Sequence, residues 1–252
     1  MPKLRRMIKE TMQRFYHLSS PTDTRNRFEK FFKDRVDPWN YTSPYEQTKY
    51  ERTLRLIPST IQTALEIGCA EGHFTVQLAP RVRSLIACDI SETALERAAR
   101  RCTSFPHVRF ARIDISRDPI EQDLDLVVCS ETLYYVGSVE GLYTVARKIA
   151  HALKTRGYLV MAHANVLVDE PDQTGFDWQL PFGAKVIGEV FERIRPLQLI
   201  KEVRTPLYRI HLFQRVSTPQ YWFSRRKSEL LIINEHPTDL DPAIEWQVHW
   251  AS

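Results

Sequence analysis

Between residues 62 and 163 the chain repeats one pattern: a short apolar run, then a stretch with helical spacing. The runs are T-A-L-E-I (63–67), S-L-I-A-C (84–88), V-R-F-A-R-I (108–113), L-D-L-V-V-C (124–129) and Y-L-V-M-A (158–162). Continuous apolar runs of this length, separated by amphipathic segments, predict parallel strands buried on both faces and joined by crossover helices. Helices are expected over about 72–80, 91–102 and 139–154, with Ser91 as an N-cap, and another over about 184–193. L-Q-L-I-K-E-V, a Thr-Pro turn and Y-R-I-H-L-F-Q-R-V then read as a hairpin, which makes the last strand of the sheet antiparallel. The fold class is α/β, a doubly wound mixed sheet.

The 252 residues, 43% hydrophobic, suffice for one such domain with extensions, placed at 61–216 between an N-terminal helical and aromatic cap (1–60) and a C-terminal extension (217–252). Within residues 1–35, Met7, Met12, Phe15 and Tyr16, then Phe28, Phe31 and Phe32, recur near helical spacing, broken at Ser19-Ser20-Pro21. The same segment holds ten basic and four acidic side chains, a local +6 against the whole-chain +4, so the remaining residues sum to −2. That balance argues against a dedicated nucleic-acid binder and predicts a basic lid over a slightly acidic domain. Four cysteines without C-x-x-C spacing, no secretory apolar stretch and no bilayer-length apolar run predict a cytoplasmic protein with reduced thiols and no membrane insertion. No metal site is expected.

The first strand ends in L-E-I-G-C-A-E-G, carrying Glu66, Gly68, Cys69 and Gly72. Glycines at a strand-to-helix turn let backbone approach a ligand. Their G-x-x-x-G spacing is not the G-x-G-x-x-G that cradles a dinucleotide pyrophosphate. Asp89 lies 21 residues after Gly68, just past the second strand, where a carboxylate accepts from ribose hydroxyls. Asp114 follows the third strand, positioned to accept from an adenine amine, with Ile90 and Ile115 offering apolar faces to the ring. All lie at the carboxyl ends of strands, where open α/β sheets bind ligands, and together they imply an adenosine without phosphates.

With these motifs, residues 62–163 resemble the class I S-adenosylmethionine-dependent methyltransferases. Glu66-Gly68-Gly72, Asp89 and Asp114 match that family's glycine motif, ribose-binding acid and adenine-binding acid. D-P-W-N-Y, the following Y-E-Q and the form E-I-G-C-A-E-G resemble more narrowly the nodulation protein S family, which N-methylates an amino-sugar nitrogen. The resemblance implies S-adenosyl-L-methionine as cofactor and a Rossmann-like sheet of seven strands with the last antiparallel. It also implies that Trp39, Tyr41 and Tyr45 cover the cofactor. Ala70 stands where many relatives have glycine, a departure the small alanine side chain tolerates.

Methyl transfer from a sulfonium is an in-line displacement, so the protein's task is alignment and a nucleophile with a free lone pair. S-E-T-L-Y-Y-V after the fourth strand sets Ser130, Glu131, Tyr134 and Tyr135 at the pocket mouth, Ser130 on the cofactor side. His163 follows the fifth strand. Glu131 and His163 are the expected proton handlers, with Tyr134 or Tyr135 orienting a small-molecule acceptor. The loop from Asp169 to Phe182 is expected to close over substrate, presenting Asp172, Asp177 and Trp178. An oxygen acceptor and a non-catalytic cofactor-binding module are the alternative readings. S-E-T-L stands where an N-P-P-Y motif would mark a methyltransferase of nucleic acid or protein.

Overall fold

A computed structural model describes residues 21–217, 228–234 and 248–249. Met7, Met12, Phe15, Tyr16 and the basic cluster Arg225-Arg226-Lys227 lie outside these residues. Helix α1 (Pro21–Asp34) opens on a proline, which needs no helical partner for its nitrogen. It buries Phe28, Phe31 and Phe32, the face set by their i, i+3, i+4 spacing. Helix α2 (Pro44–Leu56) was not foreseen, although its start is explicit: the Ser43 side chain accepts from the Glu46 N–H, and Pro44 begins the helix.

The sheet comprises β1 (Ile61–Ile67), β2 (Val82–Asp89), β3 (Val108–Arg112), β4 (Leu124–Ser130), β5 (Leu153–Ala164), β7 (Leu197–Arg204), β8 (Tyr208–Arg215) and β9 (Glu229–Ile232). Their order is β3-β2-β1-β4-β5-β8-β7-β9, with β8 antiparallel to both its neighbours. The expected hairpin is β7–β8. The expected count of seven is corrected to eight, because the apolar run at 230–232 pairs in parallel with the outer edge of β7 instead of ending in a tail. Connections proceed outward from β1 to β2 and β3, then return to β4 and β5, so the order reverses between β1 and β4. That reversal opens a crevice at the carboxyl ends of the strands.

Burial follows the predicted pattern in the inner strands but not in β3, which lies at the sheet edge with its five residues half-buried or exposed. Leu126, Val127, Val128 and Cys129 of β4 are successive and all buried, so both faces of the strand are covered. The covering helices include α4 (Glu92–Arg101), capped by the Ser91 hydroxyl as expected, α5 (Val139–Ala152) and α6 (Ala184–Glu192). The helix expected over 72–80 shrinks to α3 (Thr75–Leu78) and a 3-10 turn, Ala79–Arg81. At its start the Gly72 N–H is spent on the Cys69 carbonyl, and at its end Pro80 supplies no donor. The loop after β5 is ordered by β6 (Gly175–Phe176), which pairs with β10 (Val248–His249) and bridges to Val166. Among the described residues no helix is long and apolar enough to cross a membrane.

Candidate active site

The loop after β1 is bound to β2: both Gly68 and Cys69 donate to the Cys88 carbonyl. Three of its residues take positive φ, Gly68 at 74°, Ala70 at 47° and Gly72 at 80°. The reason for the two glycines is sharper than ligand approach alone. A Cβ on Gly68 would collide with the Thr132 hydroxyl and lie 2.8 Å from its methyl, and one on Gly72 would lie 2.9 Å from the Ala98 Cα of α4. Gly72 is therefore a helix-packing residue. Ala70 carries the strain a glycine would not.

Three carboxylates gather at the ends of β1, β2 and β3, as the spacing predicts. Asp89 accepts from the Ser91 and Ala70 backbone N–H groups, each at 2.9 Å, which fixes the loop against the start of α4. Asp114 accepts from the Ser116 N–H at 3.0 Å. Glu66 is buried, and its Oε2 has no partner. Burial pushes its pKa from 4.5 to about 8. An orphaned acceptor at the end of β1, beside a loop with these conformations, fits a ligand rich in hydroxyl and amine donors.

Ala70 and Ile90 pack with Phe28, Phe31, Phe32, Trp39 and Tyr135 in one aromatic cluster, so α1 and the segment after it lie over the glycine loop. Trp39 sits 4.7 Å from the Phe31 ring and 6.1 Å from Tyr41, which stacks on His73. The attachment is polar as well: Glu29 accepts from the Ser91 hydroxyl, the Thr93 hydroxyl and the Thr93 N–H. Burial opposes ionisation of Glu29, yet these bonds outweigh it and hold its pKa near 2. Glu71 ties Arg97 to the Asp37 N–H. Tyr45 lies elsewhere, edge-on to Phe176 and Tyr208. Ile115 packs against the main core, and Ser130 is half-buried at the end of β4.

On the other side of Tyr134 and Tyr135 opens a cleft of about 470 Å³, walled by Leu167, Val168, Asp177, Trp178, Leu180 and Pro181. The loop expected to present Asp177 and Trp178 does so; Asp172 is exposed and is not among the lining residues. Glu131, not itself among the lining residues, is joined to the cleft wall through Tyr134 and holds a φ of 53°. Its Oε1 accepts from Lys49 Nζ at 2.9 Å and its Oε2 from the Tyr134 hydroxyl at 2.6 Å. The Tyr134 oxygen in turn accepts from the Ala164 N–H.

His163 does not reach the pocket surface. It is 0% exposed, its Nε2 accepts from the Leu133 N–H at 3.4 Å, and its ring meets Tyr134 edge-on at 5.2 Å. Burial, then the neighbouring His211 and Lys49, hold its pKa well below the usual imidazole range. The strand-end position was read correctly, but the 133–136 turn covers the ring. Sequence reasoning missed Lys49 and Glu46, whose signal was the Ser43-Pro44-x-Glu46 helix start. It also missed Thr132, which nothing local in the sequence marks.

Residues 20–203 match the family model for Nodulation protein S. Nodulation protein S of Bradyrhizobium diazoefficiens is 31% identical over 158 residues, 62% of this chain and 73% of that protein. Nodulation protein S of Sinorhizobium fredii is 33% identical over 131 residues, 51% of this chain and 61% of that one. The crystal structure of N-methyltransferase NodS from Bradyrhizobium japonicum WM9 in complex with S-adenosyl-L-homocysteine superposes with a TM-score of 0.67 at 25% identity, covering 76% of this chain and 98% of that one. With its glycine loop, its three strand-end carboxylates and these likenesses, the chain belongs to the nodulation protein S family of S-adenosylmethionine-dependent methyltransferases.

Proposed function

We propose that the protein methylates an amine nitrogen of a small molecule, an amino sugar or related amine, in the cytoplasm. The observation that carries this reading is Glu131, a carboxylate held by Lys49 and by Tyr134, whose ring walls an open cleft. S-adenosylmethionine, when bound, supplies an electrophilic methyl group on a sulfonium that leaves as a neutral thioether.

Glu66, Gly68, Cys69, Asp89, Ile90, Asp114, Ile115 and Ser130 would hold the cofactor, with Trp39 and Tyr41 covering it. Tyr134 and Tyr135 separate that region from the cleft and orient the acceptor. Trp178, stacked on Phe176 at 4.2 Å, offers a flat apolar wall to a sugar ring, and Asp177 a carboxylate to its polar edge. An ammonium must shed a proton before its lone pair is free, and Glu131 takes it: the N–H bond breaks and a carboxyl O–H forms. His163, neutral and enclosed, supports the Leu133 turn and the Tyr134 ring and takes no proton from substrate. The structural relative's description as an N-methyltransferase supports a nitrogen acceptor.

Incubation with methyl-labelled S-adenosylmethionine and either glucosamine or a panel of phenols and neutral sugars tests this by mass spectrometry. The expected product is methylamino sugar. Label on hydroxyl oxygen, or none on any acceptor while cofactor binds, overturns it.

A further inference from the structure

The side chain of Lys49 is 1% exposed, while that of Glu131 beside it is 25% exposed. Burying an ammonium costs several kcal/mol unless it is paired and hydrogen-bonded. The α2 helix already supplies one partner, Glu46, one turn away with Oε1 at 2.9 Å. The second partner comes from the loop after β4, 82 residues on, at the same distance, and Nζ lies 4.6 Å above the Tyr45 ring. A local pair with Glu46 would neutralise the charge without Glu131. Instead the cation is shared, and its partly exposed end is the carboxylate beside the cleft wall. That carboxylate also sits on a left-handed backbone, a conformation a glutamate adopts only when its surroundings hold it there.

We propose that Lys49 is a positioning residue of the acceptor site. By donating to Glu131 Oε1 while Tyr134 donates to Oε2, it fixes the rotamer of that carboxylate and sets a positive charge against it. This rests on the reading of Glu131 as proton acceptor given above. The groups facing Lys49 are Glu46, Tyr45 and Tyr50 on α2, Glu131 and Tyr134 beyond β4, and His163 on β5. Of these, Glu46 and Glu131 are the anions. Burial lowers the Lys49 pKa, but the two carboxylates outweigh it and hold the group well above the ordinary lysine value, so it stays charged through the working range. Without the cation, two carboxylates face one gap, and at least one of them binds a proton more tightly.

The test combines a carbon-13 carboxyl NMR titration with the pH profile of kcat/KM for glucosamine, in wild type, Lys49→Met, Lys49→Met/Glu46→Gln and Glu131→Gln. Glu131 is assigned by the resonance lost in Glu131→Gln. The expected results for Lys49→Met are a Glu131 titration midpoint and an acid limb of kcat/KM both raised by one pH unit or more. S-adenosylhomocysteine affinity by calorimetry should stay within threefold. If Lys49→Met does not fold, the double variant, which removes one buried carboxylate with the cation, is read on the same two axes and is expected to show both upward shifts. A midpoint and limb that coincide with wild type, while Glu131→Gln has lost its acid limb, overturn the role of Lys49 alone. A Glu131→Gln profile indistinguishable from wild type overturns instead the assignment of Glu131 on which it rests.

Discussion

Replacing Glu66 with glutamine should uncouple the protein's stability from pH in a defined window. Burial lifts this carboxyl from 4.5 in the unfolded chain to about 8 in the fold. The native state therefore keeps a proton that the unfolded chain has released, and stability falls as pH rises between those two values. At about 1.4 kcal/mol per pH unit, the ionisation costs on the order of 3 kcal/mol between pH 5 and pH 7, and the loss stops above about 8. Glutamine mimics the protonated carboxyl in shape and carries no such cost. In this chain about 3 kcal/mol corresponds to roughly 6–12 °C in Tm. The assay is urea unfolding at half-unit intervals from pH 4.5 to 8.5 for both proteins. Taking their difference cancels other titrating groups, apart from Asp89, whose charge adds a smaller push on Glu66. The variant should gain on wild type steadily across the window. Parallel curves would show that Glu66 is ionised in the fold and would refute the desolvation argument.

Gly68→Ala should cost about 1–3 kcal/mol and weaken cofactor binding, because it adds a left-handed alanine and a clash with Thr132. Gly68→Ala/Thr132→Ala should recover part of the stability in a denaturant titration. Ala70→Gly should raise the urea midpoint or leave it unchanged, the gain at φ 47° reaching about 1 kcal/mol against the entropy of glycine. Trp178→Ala should raise KM for the amine acceptor tenfold or more while S-adenosylhomocysteine affinity stays constant, a split read by steady-state kinetics and calorimetry. His163→Ala should lower the Tm, and the pH midpoints of kcat/KM should not move, since the ring is already neutral and enclosed.

The strands were legible because a parallel sheet covered on both sides writes itself as unbroken apolar runs, and the capping serine at 91 because its chemistry is local. Glu66, Asp89 and Asp114 were legible because the topology brings strand ends together whatever the helices between them do. Depth was not legible. His163 stands at the foretold strand end, yet whether its ring meets the pocket depends on a 3-10 turn, Leu133–Val136, packed over it. Glycine 72 was read as a ligand-facing residue, and its true neighbour, Ala98, is 26 positions away. The α2 helix hid behind the turn-rich D-P-W-N-Y-T-S-P, and with it the buried Lys49. An eighth strand was passed over because an edge strand paired on one side, with every residue exposed, carries no burial pattern.

The claim on which the account depends is that the loop after β1 and the acid at the end of β2 hold the cofactor. Calorimetric titration of S-adenosylhomocysteine into wild type and Asp89→Asn tests it most directly. Wild type should bind with one site per chain, and Asp89→Asn at least tenfold more weakly while remaining folded. Equal affinities, or no binding to wild type, would contradict it.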